Sequence, residues 1–178
     1  MRPLAILTLA IGIWSALTLA SRADIAPFIG NYTGSAEVTL EDGSSQRRDM
    51  SVEIFSTSDG FGVTWASTRL REDGRSKTKS YTITFVPTER AGVFAAAQRR
   101  NVFGHKVPLD PMRGEPYVWA RLSDSTLSVY SLFVTDDGGY ELQQYNRSLV
   151  EGGLKLEFSS HADGVPVRSV NTVLERQP

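Results

Sequence analysis

Apolar and polar residues alternate with a period of two along most of this chain. In "FGVTWASTRL" (61–70), Phe61, Val63 and Trp65 share one parity. In "SYTITFV" (80–86), Tyr81, Ile83 and Phe85 oppose Thr82 and Thr84, and in "GLKLEFSS" (153–160), Leu154, Leu156 and Phe158 oppose Lys155 and Glu157. Such alternation marks strands with one buried face. Between these segments stand Asp42-Gly43, Asp59-Gly60, Asp73-Gly74, Asp137-Gly138 and Asp163-Gly164, with Glu151-Gly152-Gly153 as a turn of the same kind. Asp-Gly suits the positive φ of tight hairpin turns, so each pair between β-rich segments predicts a hairpin. Strands are predicted near 30–40, 47–56, 60–71, 76–87, 92–99, 116–123, 125–135, 139–149, 153–161 and 166–176. "ERAGVFAAAQRRN" (89–101) carries helix-favouring alanines, but Val93-Phe94 and the flanking turns favour a strand.

Consecutive antiparallel hairpins must hide their outermost edges, and closing into a barrel does so completely. The predicted fold is all-β: an antiparallel up-and-down barrel of about ten strands in one domain, residues 24–178, with a β-sandwich as the alternative.

One stretch breaks the rhythm. "NVFGHKVPLDPMRGEPYVWAR" (101–121) holds three prolines and two glycines, and its irregular part, 101–116, exceeds an ordinary hairpin connection. Val102, Phe103, Val107, Leu109 and Met112 make it too apolar to stay solvated. Its prolines stiffen it, so it is expected to fold down as a capping loop over one end or side of the barrel, bending at Gly104 and Gly114.

"FIGNYTGSAEV" (28–38) contains Gly30-x-Tyr32-x-Gly34. It resembles the opening strand of lipocalin-like (calycin) barrels, where glycine is followed two residues later by an aromatic, usually Trp. The resemblance is specific over about one strand and architectural elsewhere. It implies a small apolar ligand held inside the barrel. The whole chain also resembles exported proteins of alphaproteobacteria, a likeness that brings no function with it.

The chain opens on Arg2, an apolar run from Leu4 to Ala20, and Ser21-Arg22-Ala23. This pattern predicts a secretory signal peptide, 1–23, cleaved after Ala23. Cleavage after Ala20, or retention as an anchor near the lower length for a spanning helix, are the alternatives. The 19 Lys and Arg stand against 20 Asp and Glu. Loss of 1–23 removes Arg2 and Arg22 and no acid, leaving a charge of −3, too small a field to imply nucleic acid. With no cysteine present, an exported barrel fits the bacterial periplasm, or secretion, without stable membrane insertion after cleavage.

Recognisable catalytic chemistry is sparse. His105 and His161 are the only histidines and neither has a second ligand at metal spacing. There is no Gly-x-Ser-x-Gly elbow and no glycine-rich phosphate loop. The Asp residues of the turns are accounted for by the turns, and Asp110 and Glu115 read as loop hydrogen-bonders before they read as acids. No enzyme, metal or cofactor is therefore expected. What remains is an aromatic set on the sheet. "YVWARL" and "VYSLFV" are apolar on both faces, and Arg121 shares parity with Tyr117 and Trp119. If that parity faces inward, Arg121 is a buried charge needing a partner: a carboxylate-bearing ligand, or a structural acid such as Glu141 or Glu157. The candidate ligand-binding residues are Trp65, Tyr81, Phe103, Tyr117, Trp119, Arg121 and Tyr130. The expected function is a periplasmic lipocalin-like binding protein for a small apolar or amphipathic ligand. The alternative is an envelope protein-interaction module with a filled core and no small ligand.

Overall fold

The computed structural model describes residues 24–39, 43–70, 73–100, 106–107 and 109–178, with the side chains of 99, 100 and 106 left aside. Ten antiparallel strands close into one barrel in the order β1, β12, β11, β10, β9, β8, β5, β4, β3, β2. In chain order these are β1 (Gly30–Thr39), β2 (Ser45–Ser56), β3 (Phe61–Leu70), β4 (Ser76–Pro87), β5 (Val93–Ala96), β8 (Tyr117–Ser123), β9 (Thr126–Val134), β10 (Tyr140–Val150), β11 (Gly153–Ala162) and β12 (Val165–Arg176). Two short strands, β6 (Arg99–Arg100) and β7 (Lys106–Val107), pair apart from it. The up-and-down barrel is thus the fold, and the sandwich alternative is set aside. The strand expected at 92–99 is split: β5 ends at Ala96, and residues 99–100 belong to the separate ribbon.

Hairpin geometry follows the turn chemistry in most places. Gly43, Gly74, Gly138, Gly152 and Gly164 all take positive φ, and Asp163 joins Gly164 with φ 48°. Gly60 does not follow the rule expected of it. It is absent from the left-handed set, and a Cβ there would sit 2.0 Å from the carbonyl oxygen of Phe85. Asp59-Gly60 is glycine-bearing because another backbone passes against it, not because the turn demands positive φ.

One end of the barrel is plugged. A 3-10 turn at Ala26–Phe28, with Pro27 in its first positions, drops Phe28 into the interior. Phe28, Tyr32, Ile54, Phe61, Phe85, Leu122, Leu127, Leu154 and Leu174 form a buried apolar core beneath it. Phe61 packs at 5.2 Å from Phe85 and edge-on at 5.0 Å from Phe94. This half is filled with side chains, as a barrel of this size permits.

The opposite end, the mouth, gathers the turns after β1, β3, β9 and β11 and the segment that follows β5. β5 pairs with β4 only over residues 85–87, so residues 76–83 of β4 have no β5 partner. The wall is thinnest there, and Tyr81 is 53% exposed. A second 3-10 turn, Pro111–Arg113, rests against β9. Asp110 caps it by accepting from the Met112 N–H at 3.0 Å, and Glu115 accepts from the Asp110 N–H at 3.0 Å. Both acids thus make the loop hydrogen bonds their sequence setting suggests. Met112 remains 80% exposed.

Candidate functional site

Register and burial assign each side chain to the lumen or the outer wall. On β8, Val118, Ala120 and Leu122 are buried and face inward. Tyr117, Trp119 and Arg121 therefore face outward. Tyr130 pairs with Trp119 and shares that side. The three aromatics form a ridge on the outer wall, Tyr117 and Trp119 at 5.8 Å and Trp119 stacked on Tyr130 at 4.9 Å. The expected interior position of Arg121 is corrected: it is exposed, and the face it shares with Trp119 is outside. The parity was right and its side was wrong, because "YVWARL" is apolar on both faces and alternation alone cannot choose between them. Phe103 lies outside the described residues.

Of the expected residues, the structure brings Trp65 and Tyr81 together on the inward faces of β3 and β4, stacked at 5.7 Å, with Tyr81 half-exposed. They belong to an aromatic layer that spans the lumen. Trp65 reaches Tyr145 at 5.4 Å, and Tyr145 reaches Phe158 at 4.6 Å. Tyr145 and Phe158 sit directly opposite each other on β10 and β11.

Against this layer lies the interior arginine that Arg121 was expected to be. Arg147, on β10 between Leu127 and Leu156, is 1% exposed. Its guanidinium stands 5.3 Å from the Tyr145 ring centre and 5.8 Å from that of Trp65. Nε and Nη1 are buried without a hydrogen-bond partner. Burial pulls its pKa down to about 10, with Tyr145 opposing, and burial likewise pushes the Tyr145 phenol up to about 12. Arg147 could have been sought in the sequence: it occupies the inward parity of β10 with Tyr145. The dense polar run "ELQQYNRS" hides that parity, since both faces carry polar residues.

Toward the mouth the lumen becomes polar. Tyr145 donates to Gln143 Oε1 at 3.0 Å, and Gln143 donates to Glu141 at 2.9 Å. Glu141 also accepts from Ser160 at 2.5 Å and faces Arg168 at 3.5 Å. Burial alone would raise the Glu141 pKa. The bonds from Ser160 and Gln143 and the charge of Arg168 outweigh it, and the carboxyl titrates below its ordinary value. A depressed carboxylate stabilises the fold above its unfolded pKa and loses that contribution as pH falls through the folded value. Glu141→Gln is therefore expected to flatten the acid limb of a stability-versus-pH curve below about pH 4.5, as measured by urea midpoints.

Three further arginines face the lumen near the mouth. Arg48 lies on the inward parity of Met50 and Val52, Arg69 on that of Trp65, and Arg168 on that of Val170. Burial lowers the Arg48 pKa first, and the nearby charges of Arg168 and Arg69 lower it further. Arg48 donates to Gln46 Oε1 at 3.0 Å. The arrangement sets aromatic faces beside a group of guanidiniums, the donors that an anionic group would meet.

The outer wall over β12, β1, β2 and β3 bears a separate open depression of 670 Å³, lined by Thr33, Ser35, Asp49, Ser51 and Thr68 among others. These short polar side chains give a ligand little apolar surface to bury. Among the described residues, no group of three His, Asp or Glu could hold a metal ion.

The closed ten-stranded antiparallel barrel is compatible with a calycin-like fold. No family model matches the chain, and no curated protein matches its sequence.

Proposed function

We propose that this is a periplasmic lipocalin-like binding protein that holds a small amphipathic molecule in the mouth half of its barrel. The reading is carried by one observation. The lumen is divided into a filled apolar half, where Arg147 lies beneath an aromatic layer, and a mouth half in which that layer faces Arg48, Arg69 and Arg168, with Glu141 as the carboxylate among them. A barrel that only needed a core would continue the apolar filling, because burying a guanidinium without a partner costs several kcal/mol. A ligand with an apolar body and an acidic end answers both the rings and the charges. The β-barrel is a fold consistent with such binding. Export to the periplasm rests on the N-terminal pattern of 1–23, and the lipocalin likeness on Gly30-x-Tyr32-x-Gly34 and the meander.

Fluorescence tests it directly. Trp119 lies on the outer wall, so Trp119→Phe leaves Trp65 as the lumen reporter of the mature chain. Titrating decanoate or 1-decanol into that variant should change its emission saturably, and native mass spectrometry of protein from its own source should show a co-purifying small molecule. Unmoved emission and a ligand-free mass would turn the reading to the alternative, an envelope protein-interaction module. That alternative is favoured by the Tyr117–Trp119–Tyr130 ridge, where Tyr117 is 53% exposed.

A further inference from the structure

The cations of the mouth are placed at a cost to the free protein. Arg69 stands directly opposite Lys77 across β3 and β4, on the same inward parity. Lys79 continues that parity toward Tyr81. Like charges opposed across strands are destabilising. Arg48 occupies the same parity on the neighbouring β2, where the charges of Arg168 and Arg69 reach it. Around the arc β12, β1, β2, β3, β4, the described inward charges near the mouth are thus all positive, in a chain whose formal net charge is −1. Among the described residues, the facing carboxylate, Glu141 on β10, pairs with Arg168 and leaves Arg48, Arg69, Lys77 and Lys79 in excess.

A second feature is independent of the charge count. Ser67, between Trp65 and Arg69 on the same parity, has a buried hydroxyl with no partner. Arg147, on the far side of the aromatic layer, has two buried N–H groups in the same condition. Unpaired buried polar atoms are rare in folded chains, and each leaves bonding capacity open. Ser67 lies between the rings and the mouth, and Arg147 lies on the floor side of the rings.

We infer, on the basis of the lumen-binding reading, that the ligand is an amphiphile headed by a doubly charged anion of the phosphate-monoester type. The head would sit between Arg48 and Arg69, and the tail would lie on Trp65, Tyr81 and Tyr145. The excess of cations favours two charges on the head over one, and the planar donor forks of Arg48 and Arg69 suit a tetrahedral oxyanion. A single carboxylate would leave more of that excess uncompensated.

The test compares decyl phosphate, decyl sulfate, decanoate, 1-decanol and inorganic phosphate at pH 8. There a phosphate monoester carries two charges, since its second pKa is about 6, while sulfate and carboxylate carry one. Binding is read by calorimetry and by Trp65 emission. Decyl phosphate is expected to bind at least about tenfold tighter than decyl sulfate and decanoate, as one additional charge-assisted contact provides. Arg69→Gln, and separately Arg48→Gln, should erase that preference, leave 1-decanol binding unchanged, and raise the melting temperature of the ligand-free protein. Equal affinity for decyl phosphate and decyl sulfate would overturn the dianion. Inorganic phosphate binding as tightly as decyl phosphate would overturn the amphiphile. If decanol and decanoate bind but the phosphate preference is missing, the inference falls and lumen binding stands. If none of the five binds, both fall.

Discussion

Arg147→Met should raise the melting temperature of the ligand-free protein. The guanidinium is 1% exposed, and two of its nitrogens are buried without partners. Its compensation comes from the faces of Trp65 and Tyr145. Cation–π contacts return about 2 kcal/mol when desolvated, whereas burying the charge costs several kcal/mol and each unmet donor about 1–3 more. The cost wins. Methionine keeps most of the stem volume and offers the rings a polarisable sulfur in place of the cation. Replacing buried charge by apolar volume commonly stabilises by about 1–4 kcal/mol, and each kcal/mol shifts the midpoint by roughly 2–4 °C in a chain of this size. The advantage has a pH signature. With the folded pKa of Arg147 lowered to about 10, the penalty is complete below that value and is relieved above it, where the native state sheds the proton more easily than the unfolded chain. The gap between variant and parent should therefore narrow as pH rises past 10. A lower melting temperature for Arg147→Met, or a gap that stays constant to pH 11, would sink this account.

The barrel was legible because two independent signals agreed: alternation in segments such as "SYTITFV", and Asp-Gly pairs where the chain had to reverse. Where one face was plainly polar, as in "GLKLEFSS", the inward side was legible too, and Leu154, Leu156 and Phe158 all turn to the interior. The site was harder. Trp65 and Tyr81 were recoverable because Thr64, Ala66, Thr82 and Thr84 give their strands a clear outer face. Tyr117, Trp119 and Tyr130 sit on strands apolar on both sides, and there only the register of a neighbour such as Ala120 with Val129 settles which way they point. Arg147 and the arginines of the mouth were missed for a further reason. Closing the sheet brings β10 across from β3, so the approach of Arg147 to Trp65 spans 82 positions of sequence that no local pattern links. The short reach of β5, which leaves Tyr81 at the barrel's thin wall, likewise depends on where pairing stops and not on residue type.

Tyr32→Ala should be the most damaging single change at the plugged end. Tyr32 is 1% exposed and stands where the first and last strands meet, opposite Arg176 on β12 and Val52 on β2. Its hydroxyl donates to the Phe28 carbonyl at 2.8 Å, tying the 3-10 turn to the barrel floor. The Arg176 guanidinium lies 5.7 Å from the ring centre and donates to the Ile29 carbonyl. Gly30 makes room for that side chain: a Cβ there would meet Arg176 Nε at 3.1 Å. The glycine and the aromatic two residues on thus serve one closure, the glycine by its missing side chain and the tyrosine by filling the floor. Removing the ring deletes a fully buried aromatic and leaves a cavity, which costs about 3–5 kcal/mol. Removing only the hydroxyl deletes one hydrogen bond and leaves one carbonyl unmet, so Tyr32→Phe should cost about 1–3 kcal/mol. Chemical denaturation of the two variants separates the contributions. If Tyr32→Ala costs less than about 1 kcal/mol, the residue is not a floor for the barrel. If Tyr32→Phe costs as much as Tyr32→Ala, the bond to Phe28 carries the closure and the packing of the ring does not.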